Sequence, residues 1–129
     1  MKAVLCFLLI FAGPVFGDPN GDFAACCKNK NISDTCQIFC NYVSKSSDVL
    51  QAFTNGKCNI EIDGPSFYQC LENEKDNTKC CKAAGVGADA SLDFCLDICD
   101  GSKPLKSDMK YFKCKPFEQV IFNCGKDSH

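Results

Sequence analysis

The chain has 129 residues, 13 of them cysteine, and a formal net charge of −2. Such a cysteine content is typical of a small, exported, disulfide-stabilised protein. The acidic balance argues against a nucleic-acid partner, and after residue 17 no apolar run approaches the roughly twenty residues of a transmembrane segment.

The first element in chain order is a predicted secretory signal peptide over residues 1–17. A basic start is followed by an apolar run, and the small residues Val15 and Gly17 precede the predicted cleavage point. Cleavage there removes Cys6 and leaves a mature domain, residues 18–129, with an even number of cysteines. Six disulfides are therefore expected. No retrieval signal ends the chain, so we expect the product to be secreted and extracellular.

The mature cysteines fall into two blocks with the same order of spacings. Each block has an adjacent pair, then a C-x3-C spacing, then two single cysteines. An internal duplication, with pseudo-repeats of about 26–70 and 80–124, is the preferred interpretation, and coincidence is the alternative. Adjacent cysteines are poorly placed to bond each other, but the pairing, including whether the blocks bond internally or interlock, stays open. The predicted disulfide cysteines are Cys26, Cys27, Cys36, Cys40, Cys58, Cys70, Cys80, Cys81, Cys95, Cys99, Cys114 and Cys124.

The first block is predicted to hold three short helices. Apolar residues at helical spacing predict a helix over residues 36–43, with Ser33 or Asp34 as its N-cap. A second helix is predicted over residues 48–53, stopped by a glycine. A third is predicted over residues 65–70, with a proline in its first turn.

The second block repeats this helical pattern. A helix is predicted over residues 92–99, with Asp89 or Ser91 as its N-cap and Gly101 as its stop. A stronger helix, opened by a proline, is predicted over residues 116–125. The predicted fold class is a mainly α, small disulfide-rich domain with short helices, arranged as two pseudo-repeated six-cysteine subdomains.

No catalytic, metal or cofactor site is predicted. The single histidine is terminal, which excludes the chemistry of the secreted phospholipases and disfavours zinc as a use of the cysteines. Asp93 and Asp97 could form an acid–base pair, and the same two residues with Asp100 could form a loose calcium site, but a solvated acidic stripe is the preferred interpretation. We therefore expect no enzymatic activity.

Two surface features remain for function. Asn31 begins the sequon Asn31-Ile32-Ser33, which predicts N-glycosylation, unless Ser33 serves only as a helix cap. Four phenylalanines could line a groove for a small hydrophobic ligand or a partner, although core packing is preferred for them. They are Phe23, Phe112, Phe117 and Phe122.

The cysteine pattern resembles the DB module, a cysteine-rich extracellular family of unknown function known chiefly from nematode proteins. The resemblance runs from Phe23 to Cys124 and is most specific over residues 79–86, KCCKAAGV, and 95–101, CLDICDG. One departure is that residues 87–94 look extended relative to the family pattern. The resemblance implies six disulfides and a stand-alone module, and it implies no catalytic residues.

The predicted function is a secreted, disulfide-stabilised protein-interaction module with an extracellular protein as its partner. Two alternatives stay open: a small secreted protease inhibitor, and a carrier of lipid or another hydrophobic ligand. A protected apolar cavity would favour the carrier, and an exposed, strained loop between two disulfides would favour the inhibitor.

Overall fold

The computed structural model describes residues 18–129, and the signal peptide predicted over residues 1–17 lies outside them. The described chain contains seven short α-helices and two 3-10 helices and no strand, which confirms the predicted fold class. Its only bridge of the β type pairs Asp76 with Asp100. In chain order the elements are α1 (Pro19–Asn29), α2 (Asp34–Gln37), α3 (Ser46–Asn55), α4 (Gly64–Leu71), α5 (Thr78–Ala83), η1 (Ala90–Cys95), α6 (Leu96–Cys99), η2 (Met109–Phe117) and α7 (Glu118–Asp127).

The six disulfides all form within a block, and both blocks use the same pairing order. The first cysteine bonds to the sixth, the second to the fourth and the third to the fifth. The bonds are Cys26–Cys70, Cys27–Cys40 and Cys36–Cys58, then Cys80–Cys124, Cys81–Cys99 and Cys95–Cys114. The first-to-sixth bond joins residues 44 apart in both blocks. The pairing that the sequence left open is therefore internal, and its repetition supports the interpretation as a duplication.

The predicted helix over residues 36–43 is wrong in its extent. Helix α2 ends at Gln37, and Val43, expected on its buried face, is 80% exposed. The reason is the direction of the disulfides, because Cys36 bonds to Cys58 whereas Cys40 bonds back to α1, and the chain turns between them.

The first cap also differs from the expectation. Ser33 does occupy the N-cap position, but its side chain makes no capping hydrogen bond to the helix. Its hydroxyl donates instead to Asp63 Oδ2 at 2.7 Å, and its backbone N–H donates to Asp63 Oδ1 at 2.9 Å. Asn59 N donates to the same carboxylate at 2.8 Å. This buried carboxylate therefore ties the entry of α2 to the turn before α4.

The two remaining helices of the first block match their predictions. Helix α3 covers the predicted residues 48–53 and ends at Gly56, whose φ of 88° lies in the left-handed region that glycine adopts without a steric cost. Helix α4 covers the predicted residues 65–70 with its proline in the first turn.

The second block departs from regular α-helix at two places. Residues 92–99 form the end of η1 followed by the single turn α6, because Leu92, with φ −124° and ψ 20°, interrupts the helix. Asp89 caps η1 as expected, accepting a hydrogen bond from Ser91 N at 2.9 Å. Pro116 does not open an α-helix: it lies inside η2, which holds the buried Cys114, and α7 begins only at Glu118.

Both blocks contribute to a single hydrophobic core. Helix α4 of the first block packs against α6 and α7 of the second, and α3 packs against α7 and η2. A Cβ atom added to Gly125 would overlap the Leu71 carbonyl oxygen, so glycine allows α7 to approach α4 this closely. Phe23 and Phe122 are buried in this core, whereas Phe112 and Phe117 pack at its edge. Within residues 18–129 no helix is long and apolar enough to cross a membrane.

Candidate functional site

An open, mostly apolar cleft lies between the two blocks, with a volume of about 50 Å³. We call it the inter-block cleft. One wall comes from α3, α4 and the turn between them, and the other from α6, the segment before η2, η2 and the first residue of α7. Its lining residues are Leu50, Phe53, Ile60, Gly64, Tyr68, Ile98, Leu105, Lys106, Ser107, Asp108, Tyr111, Phe112 and Glu118.

The segment before η2 is held against the first block by two hydrogen bonds. Leu105 N donates to the Pro65 carbonyl oxygen at 3.4 Å, and Ser107 Oγ donates to the Ile60 carbonyl oxygen at 3.3 Å. Asp108 then caps η2 by accepting from Lys110 N at 2.8 Å. The second wall is thus positioned by contacts with the first block.

Glu118 is the buried carboxyl group of the cleft. It is the first residue of α7, where a negative charge is favoured by the helix dipole, yet it is only 5% exposed. Burial raises the pKa of this carboxyl group to about 7, and interaction with the Tyr68 hydroxyl acts in the opposite direction. Among residues 18–129, Glu118 Oε2 has no hydrogen-bond partner.

Tyr68 is the polar group next to Glu118 on the first wall. It is 9% exposed and belongs to an aromatic cluster, with ring centroids 5.7 Å from Phe53 and 5.2 Å from Phe67. Burial, and secondarily the Glu118 carboxylate, raise the pKa of its hydroxyl well above the usual value. The hydroxyl therefore stays protonated and can act as a donor inside the cleft.

A cation–π contact adjoins the second wall at Tyr111. Lys110 Nζ lies 5.1 Å from the centroid of the Phe94 ring and 5.3 Å from that of Tyr111, within range of a cation–π interaction. The Tyr111 hydroxyl donates to Asp97 Oδ2 at 2.8 Å, and burial together with this bond raises its pKa. Asp97, predicted as part of a solvated stripe, is exposed but also fixes this wall.

The other two acidic candidates of the sequence analysis are Asp93 and Asp100. Asp93 is exposed, and Asp100 accepts hydrogen bonds from the Ser102 N–H and hydroxyl. Across residues 18–129, no group of three or more His, Cys, Asp or Glu side chains is arranged to hold a metal ion.

The sequon begins at an exposed position. Asn31 lies in the turn after α1 with φ 59°, a conformation that asparagine tolerates better than most residues. Ile32 is buried, and Ser33 makes the Asp63 contacts described above. Glycosylation of Asn31 stays a prediction.

A second buried carboxyl group, Glu72, lies outside the inter-block cleft. It is 0% exposed, and its Oε1 atom accepts from Asn77 Nδ2 at 2.9 Å. Burial raises its pKa to about 8, against the effect of that hydrogen bond. Like Glu118, it has an Oε2 atom without a hydrogen-bond partner among the described residues.

The single histidine joins the C-terminus to the first block. His129 Nδ1 lies 3.0 Å from Asp22 Oδ2, and Nε2 lies 2.8 Å from the Tyr42 hydroxyl oxygen. That hydroxyl donates its hydrogen to the Leu71 carbonyl oxygen at 2.6 Å. Both ring nitrogens therefore lie within hydrogen-bond distance of an oxygen atom of the first block.

The sequence made Phe112 a candidate groove residue, with core packing preferred for it, and it does line the cleft, whereas Glu118 and Tyr68 were missed. The available signal was spacing: Glu118 lies three residues before Ile121 and seven before Gly125, on the face of α7 that is buried. A carboxyl group on such a face is a candidate for a functional role.

Comparison with known proteins gives one match. The sequence model of the DB module matches residues 26–125, a range that contains all twelve disulfide-bonded cysteines. No curated protein and no solved structure matches the chain.

Proposed function

Because the chain belongs to the DB module family, we propose that it is a secreted extracellular module that binds a partner protein through the inter-block cleft. The role is binding, with no catalytic step. Its six disulfides indicate folding in an oxidising compartment. Release outside the cell rests on the predicted signal peptide together with that observation.

The observation that carries this proposal is the cleft itself. Its walls are apolar side chains from both blocks, and the buried bonds Cys36–Cys58 and Cys95–Cys114 brace the segments on either side. A braced surface loses little conformational entropy when it binds, which favours affinity. Two exposed apolar residues lie near the lining in sequence: Ile62, 69% exposed, between Ile60 and Gly64, and Met109, 65% exposed, directly after Asp108.

The size of the cleft favours a protein partner over a carried lipid. About 50 Å³ holds roughly four water-sized groups. That space suits the end of one side chain inserted from a partner surface, whereas enclosure of an acyl chain needs a larger cavity. A hydrophobic-ligand carrier is the competing outcome of the experiment below.

The experiment is partner capture with two matched variants of the oxidised, secreted protein. Ile62→Asp places a charge in the turn between the lining residues Ile60 and Gly64, and Ile38→Asp makes the same change at a residue that is 66% exposed and distant in sequence from the lining. Crosslinked proteins from extracellular fluid are identified by mass spectrometry, and organic extracts are analysed for lipids.

We expect a captured protein that Ile62→Asp loses and Ile38→Asp keeps. Equal capture by both variants contradicts binding at the cleft. A stoichiometric lipid in the extract, with no protein partner, replaces the proposal by the carrier alternative.

A further inference from the structure

We infer that the inter-block cleft binds an alkylammonium group, with the Glu118 carboxylate as the partner of its positive charge. This inference rests on the proposed function, since it names the chemistry that the same cleft selects. The group belongs to a lysine side chain of the partner protein, and a small aliphatic amine is the competing outcome of the test.

The cleft contains one buried carboxyl group, that of Glu118, which can accept a hydrogen bond from a ligand. Glu118 lines the cleft, is 5% exposed and has an Oε2 atom without a hydrogen-bond partner among residues 18–129. A buried polar atom without a partner costs free energy that a ligand donor would recover. An ammonium group supplies up to three donors and a compensating charge, so it fits this atom better than a neutral or anionic group does.

The ionisable side chains around Glu118 decide the charge of the ligand that the cleft accepts. The other ionisable side chains lining the cleft are Tyr68, Lys106, Asp108 and Tyr111. Lys106 is exposed, and within the described chain no cation forms a salt bridge with Glu118. Above the pKa of Glu118, about 7, two carboxylates face one ammonium group, so the cleft favours a cationic ligand at mildly alkaline pH.

The apolar lining of the cleft suits the alkyl part of an alkylammonium group. The aliphatic walls, Leu50, Ile60, Ile98 and Leu105, suit a short methylene chain, and the rings of Phe53 and Phe112 add polarisable surface. A volume of about 50 Å³ limits the occupant to a head group and a few carbon atoms. These dimensions match the end of a lysine side chain or of butylamine.

The test is an NMR titration of the oxidised protein with two probes of equal length. n-Butylammonium carries the charge, and n-butanol is its neutral counterpart. We expect n-butylammonium to shift the signals of Leu105 and Phe112 with an affinity at least tenfold above that of n-butanol. Equal affinity of the two probes overturns the inference without using any variant.

Two variants then assign the charge partner. Glu118→Gln should remove the tenfold preference for n-butylammonium, and Glu72→Gln should keep it. Glu72 is the matched control because it is also a buried carboxyl group with an unpartnered oxygen, but it lies outside the cleft. If the preference survives Glu118→Gln, or if Glu72→Gln removes it equally, Glu118 is not the partner and the inference fails.

A third probe distinguishes the two sources of the ammonium group. The tripeptide acetyl-Gly-Lys-Gly-amide is titrated in parallel with n-butylammonium. Tighter binding of the peptide supports a lysine of a partner protein, and tighter binding of the free amine supports a small-molecule ligand. If the alkylammonium inference fails but Ile62→Asp still abolishes partner capture, the proposed function stands, so the two results are separable.

Discussion

Replacement of the buried Glu72 by glutamine should raise the stability of the protein at alkaline pH. The pKa of Glu72 is about 8 in the folded protein against an ordinary value of 4.5. Between these values the folded state binds more protons than the unfolded state. The stabilisation that comes from the protonated Glu72 side chain is therefore fully present below pH 4.5 and is lost as the pH rises through about 8.

The size of the effect follows from the two pKa values. At about 1.4 kcal/mol for each pH unit, ionisation of Glu72 removes about 4 kcal/mol of stability between pH 4.5 and 8.5. Glu118, with a pKa of about 7, adds a smaller loss with the same sign. Glutamine keeps the acceptor for Asn77 but cannot ionise, so Glu72→Gln should remove the larger part of this pH dependence.

The assay is unfolding in guanidinium chloride with the disulfides intact, followed by circular dichroism at several pH values from 4.5 to 8.5. Glu61→Gln is the control, because Glu61 is exposed and the same change there should leave the pH dependence unaltered. If the wild type and Glu72→Gln lose stability in parallel as the pH rises, Glu72 does not hold its proton in the folded state and this reasoning is wrong.

Further predictions concern packing, the C-terminus, the cross-links and the sequon. Gly125→Ala should destabilise the protein by about 1–3 kcal/mol in the same unfolding assay, because the added methyl group overlaps the Leu71 carbonyl oxygen. His129→Ala should cost about 1–3 kcal/mol through loss of the bonds to Asp22 and Tyr42, and an unchanged midpoint would show that the C-terminus is not fastened. Alkylation of the native mature protein should add no mass, whereas full reduction should abolish cooperative melting, since each lost disulfide costs about 2–5 kcal/mol. Asn31→Gln should reduce the mass of the secreted protein by one glycan, and equal masses would exclude occupancy.

The end of α3 and the start of α4 were predictable because residues at those positions determine them. Gly56 stops α3 and a proline opens α4, and neither signal depends on distant contacts. The predicted extent of the C-x3-C helix in the first block was wrong for the opposite reason. Cys36 and Cys40 share one side of an ideal helix, but their bonding partners lie in different segments, and no local pattern contains that information.

The candidate site was only partly accessible to sequence reasoning. Phe112 was one of four candidate groove residues for which core packing was preferred, and it lines the cleft, whereas Phe23 and Phe122 are in the core as preferred. Glu118 escaped because an acidic residue in the first turn of a helix is already explained by the helix dipole. Its spacing to Ile121 and Gly125 indicated the buried face of α7, and the packing of α7 against α4 shows that this face is covered.

The inter-block cleft is built from corresponding stretches of the two blocks. Most of its lining comes from the stretch between the fourth and fifth cysteines, which holds α3 in the first block and the segment 105–112 in the second. Tyr68 and Glu118 both come from the stretch between the fifth and sixth cysteines. The same pairing order therefore brings equivalent stretches together, while their different sequences make one wall helical and the other largely irregular. Because each block supplies one wall, the site requires both blocks folded against each other, and neither block alone presents it.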